Sequence, residues 1–204
     1  MTSSFDRCLA FTLAREGGFV QNPADPGGAT NMGITLTTLR AWREDHGDEA
    51  PDVNDLLHLS RDEASAIYGA WFWNVVRGDR LLPGVNLAVF DFGVTASPRR
   101  SAILLQQAVG ATADGSIGPE TLGLVGIACC GRGGAGTLIG KLRTAQDGYY
   151  RTRPTFATFG KGELARSALR WSAALALAAD MAPSSVTPSA DDLNAAELAW
   201  VTAG

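Results

Sequence analysis

Apolar side chains recur every three or four positions along most of the chain, the spacing of helices with one buried face. Phe5, Cys8, Leu9, Thr12, Leu13 and Glu16 share one stripe of a helix predicted from Ser3 to Glu16, which Gly17 and Gly18 end. Thr35 is placed to cap a second helix that runs through Leu36, Leu39 and Trp42 to about His46 and stops at Gly47. Ser60-Arg61-Asp62-Glu63 reads as a capping box, and the helix it opens carries Ala64, Ile67, Tyr68, Trp71, Phe72 and Val75 on one face. A short apolar helix follows from Leu87 to Val94, then Ser97-Pro98 starts a helix through Ile103, Leu104, Gln107 and Ala108. Gly118-Pro119 opens another, and beyond a glycine-rich break at residues 131–136 helices are expected from Thr137 to Tyr150 and from Lys161 to Met181. Strand signals are confined to the segment from Phe19 to Ile34, which suits a small irregular hairpin. The expected fold class is all-α, mainly helical and bilobal.

With 204 residues and 46% hydrophobic content, the chain can bury a substantial core. The pattern divides into residues 1–92, a helical region 93–181 packed on it, and a tail 182–204. That tail reads as a linker from Pro183 to Pro188 and one more helix from Ser189 to Val201. There is no internal repeat. No apolar run reaches membrane-spanning length, so an integral membrane protein is not expected. The start Met1-Thr2-Ser3-Ser4-Phe5-Asp6-Arg7 lacks a basic flank followed by an apolar stretch, so it reads as carrying no secretory signal and points to synthesis in the cytoplasm. Three cysteines, Cys8, Cys129 and Cys130, do not make a disulfide framework; Cys8 reads as core.

The net charge of -4 hides a division. Eight acidic residues lie between Glu44 and Glu63, against Arg61 alone, while eight basic residues lie between Arg132 and Arg170, against Asp147 and Glu163. A basic C-terminal part suits contact with anionic wall polymers or phosphorylated lipid, though most such faces are simply solvated. Nucleic-acid binding is not expected, because no recognition motif accompanies the charge.

Chemistry concentrates at the end of the first helix. Glu16 falls on the packed stripe and in the last helical turn, where the helix dipole and partial desolvation both favour the neutral acid. A carboxyl kept neutral near pH 7 can donate a proton to a leaving oxygen, the task of a general acid in glycoside cleavage. Asp25 follows in the turn-forming Asp25-Pro26-Gly27-Gly28 and offers a second carboxylate; in an inverting enzyme the two would stand roughly 6.5 to 9.5 Å apart. Thr30 adds a hydroxyl able to orient the same water. Taken singly, Glu16 reads first as a solvated charge and Asp25-Pro26-Gly27-Gly28 as an ordinary turn.

The ordered set Glu16-Gly17-Gly18, Asn22-Pro23, Asp25-Pro26-Gly27-Gly28, Thr30 and Gly33-Ile34-Thr35 resembles the signature of glycoside hydrolase family 108, the lysozymes (N-acetylmuramidases) found as phage and gene-transfer-agent endolysins. The resemblance implies a lysozyme-like fold, peptidoglycan glycan strands as substrate, Glu16 as catalytic acid, and Asp25 and Thr30 as its partners. Gly17, Gly18, Gly27, Gly28 and Gly33 form the motif's framework. No metal or organic cofactor is implied. Without a signal sequence, a monomeric enzyme made in the cytoplasm would reach the wall through a membrane lesion, such as one made by a holin, and act in the periplasm.

Leu104-Leu105-Gln106-Gln107-Ala108-Val109-Gly110 followed by Asp114-Gly115-Ser116-Ile117-Gly118-Pro119-Glu120-Thr121 is similar to the pattern of predicted peptidoglycan-binding regions. It reads equally as a turn and a helix start. Among the aromatics, Trp71 and Phe72 fall on the buried stripe, whereas Tyr68 and Trp73 are candidates to line a glycan cleft. Asp91, in Asp91-Phe92-Gly93-Val94-Thr95, joins them as a substrate-binding candidate. The chain departs from the family pattern at Thr95, where asparagine is frequent, and at Gly162-Glu163-Leu164-Ala165-Arg166, where Glu163 replaces the tryptophan of Gly-Trp-x-x-Arg.

Other chemistries fit less well. The two histidines, His46 and His58, lie in the acidic stretch, which disfavours a zinc amidase. No Gly-x-Ser-x-Gly motif supports serine catalysis, and too few oxygen ligands recur for a calcium loop. A lytic transglycosylase on the same bond, a chitinase, and a non-catalytic wall-binding or secretion-assisting protein remain as alternatives.

Overall fold

The computed structural model describes residues 2–21, 28–47, 50–130 and 133–180. The expected linker and C-terminal helix after residue 181 lie outside them. Helix α1 (Ser4–Glu16) is opened by a reciprocal box, in which the Asp6 N–H donates to Ser3 Oγ and the Ser3 N–H to Asp6 Oδ2, and it ends at Gly17. The strand segment forms as expected. Strands β1 (Thr30–Asn31) and β2 (Ile34–Thr35) pair antiparallel, with Thr30 opposite Thr35, while Val20 bridges to the outer side of Thr30. Met32 and Gly33 join the strands with φ of 49° and 75°, the handedness that a two-residue hairpin turn requires. Thr35 then caps α2 (Leu36–Asp45) by accepting from the Thr38 N–H.

Hydrophobic periodicity misses α3 (Val53–Leu57), a single short segment that depends on its Asp52 and Asp55 box. At α4 (Arg61–Tyr68) Ser60 caps as expected, but the second half of its box does not form: the Glu63 carboxylate is taken by Arg43, at 2.9 and 3.1 Å. The predicted continuation of this helix through Val75 also fails. Gly69–Trp73 winds as a π-helix, with the Asn74 N–H donating to the Gly69 carbonyl. One wide turn advances the helical phase, so Trp73 swings into the core at 2% exposure while Val75 faces solvent.

Helix α5 (Val85–Thr95) is apolar all round and buried from Val85 to Gly93, as a central helix must be. It packs against α1, α6 (Pro98–Val109), α8 (Gly134–Thr152) and α9 (Phe156–Ala179), and α7 (Pro119–Cys130) packs on α6 and α8. One contiguous buried cluster runs from Cys8 on α1 to Ala174 on α9. Cys8 is core, and burial pushes its thiol up to about 12. The Leu-Gln and Asp-Gly motifs close on each other: the Gln106 side chain donates to Asp114 Oδ1 and the Ser116 carbonyl and accepts from the Gly115 N–H. No single helix among the described residues is long and apolar enough to cross a membrane.

At the centre of this packing sits a carboxylate. Asp91 has no solvent exposure, and each oxygen is bound twice: Oδ1 accepts from Thr12 Oγ1 on α1 (2.9 Å) and Arg166 Nη2 on α9 (2.6 Å), and Oδ2 from Arg170 Nε (2.7 Å) and Arg166 Nε (3.2 Å). Arg170, also buried, gives its remaining donors to Gln146 Oε1 and Tyr150 Oη on α8. Burial pushes the Asp91 pKa up, but the charges and hydrogen bonds of Arg170 and Arg166 outweigh it, and the net shift is downward.

Two expectations follow for stability. Because the folded pKa of Asp91 is depressed, its stabilisation is complete above the ordinary aspartate range near pH ~4 and is lost as pH falls through the folded value. Asp91→Asn should therefore cost about 3–5 kcal/mol at neutral pH, leaving two buried guanidiniums short of their counter-ion, and distinctly less at pH ~3, as read by urea unfolding at both pH values. Gly84, at φ 84°, has no room for a Cβ, which would strike the Ala174 carbonyl of α9. Gly84→Ala should cost at least about 2 kcal/mol through clash and backbone strain, measured as a lowered unfolding midpoint.

Candidate active site

Glu16 ends α1 with its side chain 17% exposed and held from two sides. From α9, Arg166 Nη1 pairs with Oε1 at 2.7 Å. Arg166 reaches Asp91 with its other nitrogens, so one planar guanidinium ties the exposed edge of the site to the buried carboxylate. Burial alone would lower the pKa of Arg166; Asp91 and Glu16 overcome this and hold it above the ordinary arginine value. From the hairpin, the Met32–Gly33 turn closes over the other oxygen. A Cβ built at Gly33 would stand 2.7 Å from Glu16 Oε2 and 2.6 Å from Tyr68 Oη, so only glycine leaves room for both groups.

Tyr68 is the third wall. Its hydroxyl donates to the Met32 carbonyl at 2.9 Å, and burial, then the Glu16 charge, raises its pKa. The ring is 1% exposed, so it anchors the turn and has no face to offer a sugar. Trp73 is likewise withdrawn: its indole packs against Phe5 and Phe90, at ring-centroid distances of 5.4 and 5.5 Å. Asp91, expected to meet substrate, has no exposed surface and acts as a positioning residue for Arg166. These three placements correct the expected substrate contacts.

The remaining motif residues are placed as follows. Thr30 is half-buried on β1, bonded through its backbone to Val20. Gly17 and Gly18 carry the chain from α1 towards that bridge, and Gly28 leads into β1. Asp25 and Gly27 lie outside the described residues. Beside Glu16, a shallow groove of about 590 Å³ is lined by Arg15, Thr95, Phe159, Gly162, Glu163, Ala165, Arg166 and Leu169. Sequence reasoning gave no role to Arg15, Arg166 or Arg170. Arg166 stood at a motif position, but nothing local to it announces partners on α1 and α5. Among the described residues, no group of three His, Cys, Asp or Glu side chains could hold a metal ion.

The family described as glycosyl hydrolase 108 matches residues 9–96, a span that contains Glu16, the hairpin, Tyr68 and Asp91. Among solved structures, SagA of Brucella abortus is similar, with 39% sequence identity and a TM-score of 0.76 over 88% of this chain and 98% of that one. No curated protein matches the sequence. A family match over the site, joined to this likeness across almost the whole of a solved relative, places the protein: the chain belongs to glycosyl hydrolase family 108 and is a glycoside hydrolase of the peptidoglycan-degrading kind.

Proposed function

We propose that the protein is an N-acetylmuramidase, a lysozyme that cleaves the β-1,4 bond between N-acetylmuramic acid and N-acetylglucosamine with Glu16 as general acid. The observation that carries this reading is the grip on Glu16: a half-buried carboxyl at a helix end, fixed by Arg166 and by the Gly33 turn, beside an open groove. Fixed geometry of this kind supplies much of a catalyst's advantage, because the donor need not be oriented at the moment of bond cleavage. For this step Glu16 enters protonated, its ion pair with Arg166 given up, and passes that proton to the leaving oxygen; Asp25 activates or steers water, and Thr30 helps to place it. No cofactor takes part. The enzyme works as a monomer on peptidoglycan strands in the periplasm, released there by a membrane-lesioning partner such as a holin, and serves cell lysis or particle release of a phage or gene-transfer-agent type.

Glu16→Gln tests the acid directly. On purified cell walls it should lower the rate at least about a hundredfold, and the wild-type products should carry reducing ends rather than anhydro ends by mass spectrometry. Unchanged lysis by the variant would refute the reading. Gly33→Ala tests the grip: the added methyl must displace the carboxyl or the tyrosine, so kcat should fall at least about tenfold with a much smaller change in KM, measured on soluble glycan strands.

A further inference from the structure

From Thr121 to Gly140 the sequence carries a single charged residue, Arg132, and the first half of that run belongs to α7. The helix buries one stripe, Thr121 and Val125, on the side that packs against α6 and α8. The opposite stripe, Pro119, Gly123, Ile127 and Cys130, is exposed, and Ile127 at 71% is the most exposed large apolar side chain among the described residues. Single exposed apolar residues are ordinary, whereas an uncharged helix face several turns long marks a contact surface. Glu120, the one acidic residue of α7, turns its carboxylate to the N–H and hydroxyl of Thr112.

Positive charge reaches this face from a neighbouring element. A pocket of about 480 Å³ opens at the start of α7, lined by Arg77, Arg80, Gly118, Pro119, Leu122 and Gly123. Both arginines are exposed, and neither guanidinium has a partner among the described residues. Asp79, between them in sequence, is not part of the lining, so the pocket holds two positive charges and no negative one. Arg77 keeps its place in the left-handed backbone region, φ 51° and ψ 47°, which glycine would occupy at less cost.

We propose that the outer face of α7 and these two arginines form a docking surface for an anionic lipid bilayer. An apolar helix face beside cationic side chains is the make-up of a helix that lies in a membrane interface, where apolar groups enter the acyl boundary and guanidiniums meet lipid phosphates. At 12 residues α7 is too short to cross, so it lies along the surface. A neutral protein partner would cover Ile127 but leave Arg77 and Arg80 unanswered; lipid phosphates answer both. None of these residues lines the groove beside Glu16, so attachment and bond cleavage are separable.

The full-length protein is co-sedimented with vesicles of phosphatidylcholine alone or of phosphatidylcholine mixed with phosphatidylglycerol, at low and at high salt. Binding to the mixed vesicles should be at least about tenfold tighter than to phosphatidylcholine alone and should weaken at high salt. Ile127→Asp should weaken it at least about tenfold by forcing a carboxylate into the interface. Arg77→Gly combined with Arg80→Gln should weaken it about tenfold and erase the preference for phosphatidylglycerol, without lowering the unfolding midpoint, since glycine suits the backbone of residue 77. Both variants should cleave soluble glycan strands at the wild-type rate. Equal binding to the two vesicle types, or variants that bind as wild type does, would overturn the proposal. So would a protein that ignores vesicles and sediments as a dimer that Ile127→Asp splits, an outcome that assigns the face to a second copy.

Discussion

The fold turns on a buried charge that has to be answered. Asp91 sits on the most apolar helix of the protein, and an isolated carboxylate there would cost several kcal/mol in lost hydration. Two arginines from α9 and a threonine from α1 meet that demand, and Gln146 and Tyr150 from α8 in turn satisfy Arg170. Four helices are thereby held in one register by directional contacts. The apolar packing around α5 drives association, and the ionic cluster selects which association is the right one.

Glu16 hangs from this cluster. Arg166 is the shared member, bound on its inner side to Asp91 and on its outer side to Glu16. Its own position is set by the buried carboxylate, so Glu16 receives its orientation second-hand from the core. The hairpin supplies the opposing constraint through Gly33 and Tyr68, whose hydroxyl fixes the turn by its bond to Met32. The Glu16 carboxyl is thus held by elements distant in the chain, α9 on one side and the hairpin on the other.

Local signals were legible and long-range ones were not. Glu16 at a helix end, the glycine stop, the hairpin segment, the Thr35 and Ser97 caps and the helical character of the chain follow from spacing and capping chemistry, which act over a few residues. The burial of Trp73 could not be read, because a π-turn at Gly69 resets the helical phase and periodicity assumes an unbroken 3.6-residue repeat. Asp91 was misread for a related reason. A carboxylate in an apolar helix signals either a ligand contact or a buried ion pair, and only the approach of α9, more than seventy residues away, decides between them. Glu163 was visible only as a departure from a motif; its free oxygen emerges once Arg153 is seen to hold the other.

Arg166 follows Glu16 by 150 positions. On a ribosome, Glu16, its hairpin and the central helix all emerge well before α9 exists to clamp them, so a partly synthesised chain carries the carboxyl group without the guanidinium that holds it. The grip on Glu16 can therefore be completed only after α9 has been made and has docked on α5 and α8.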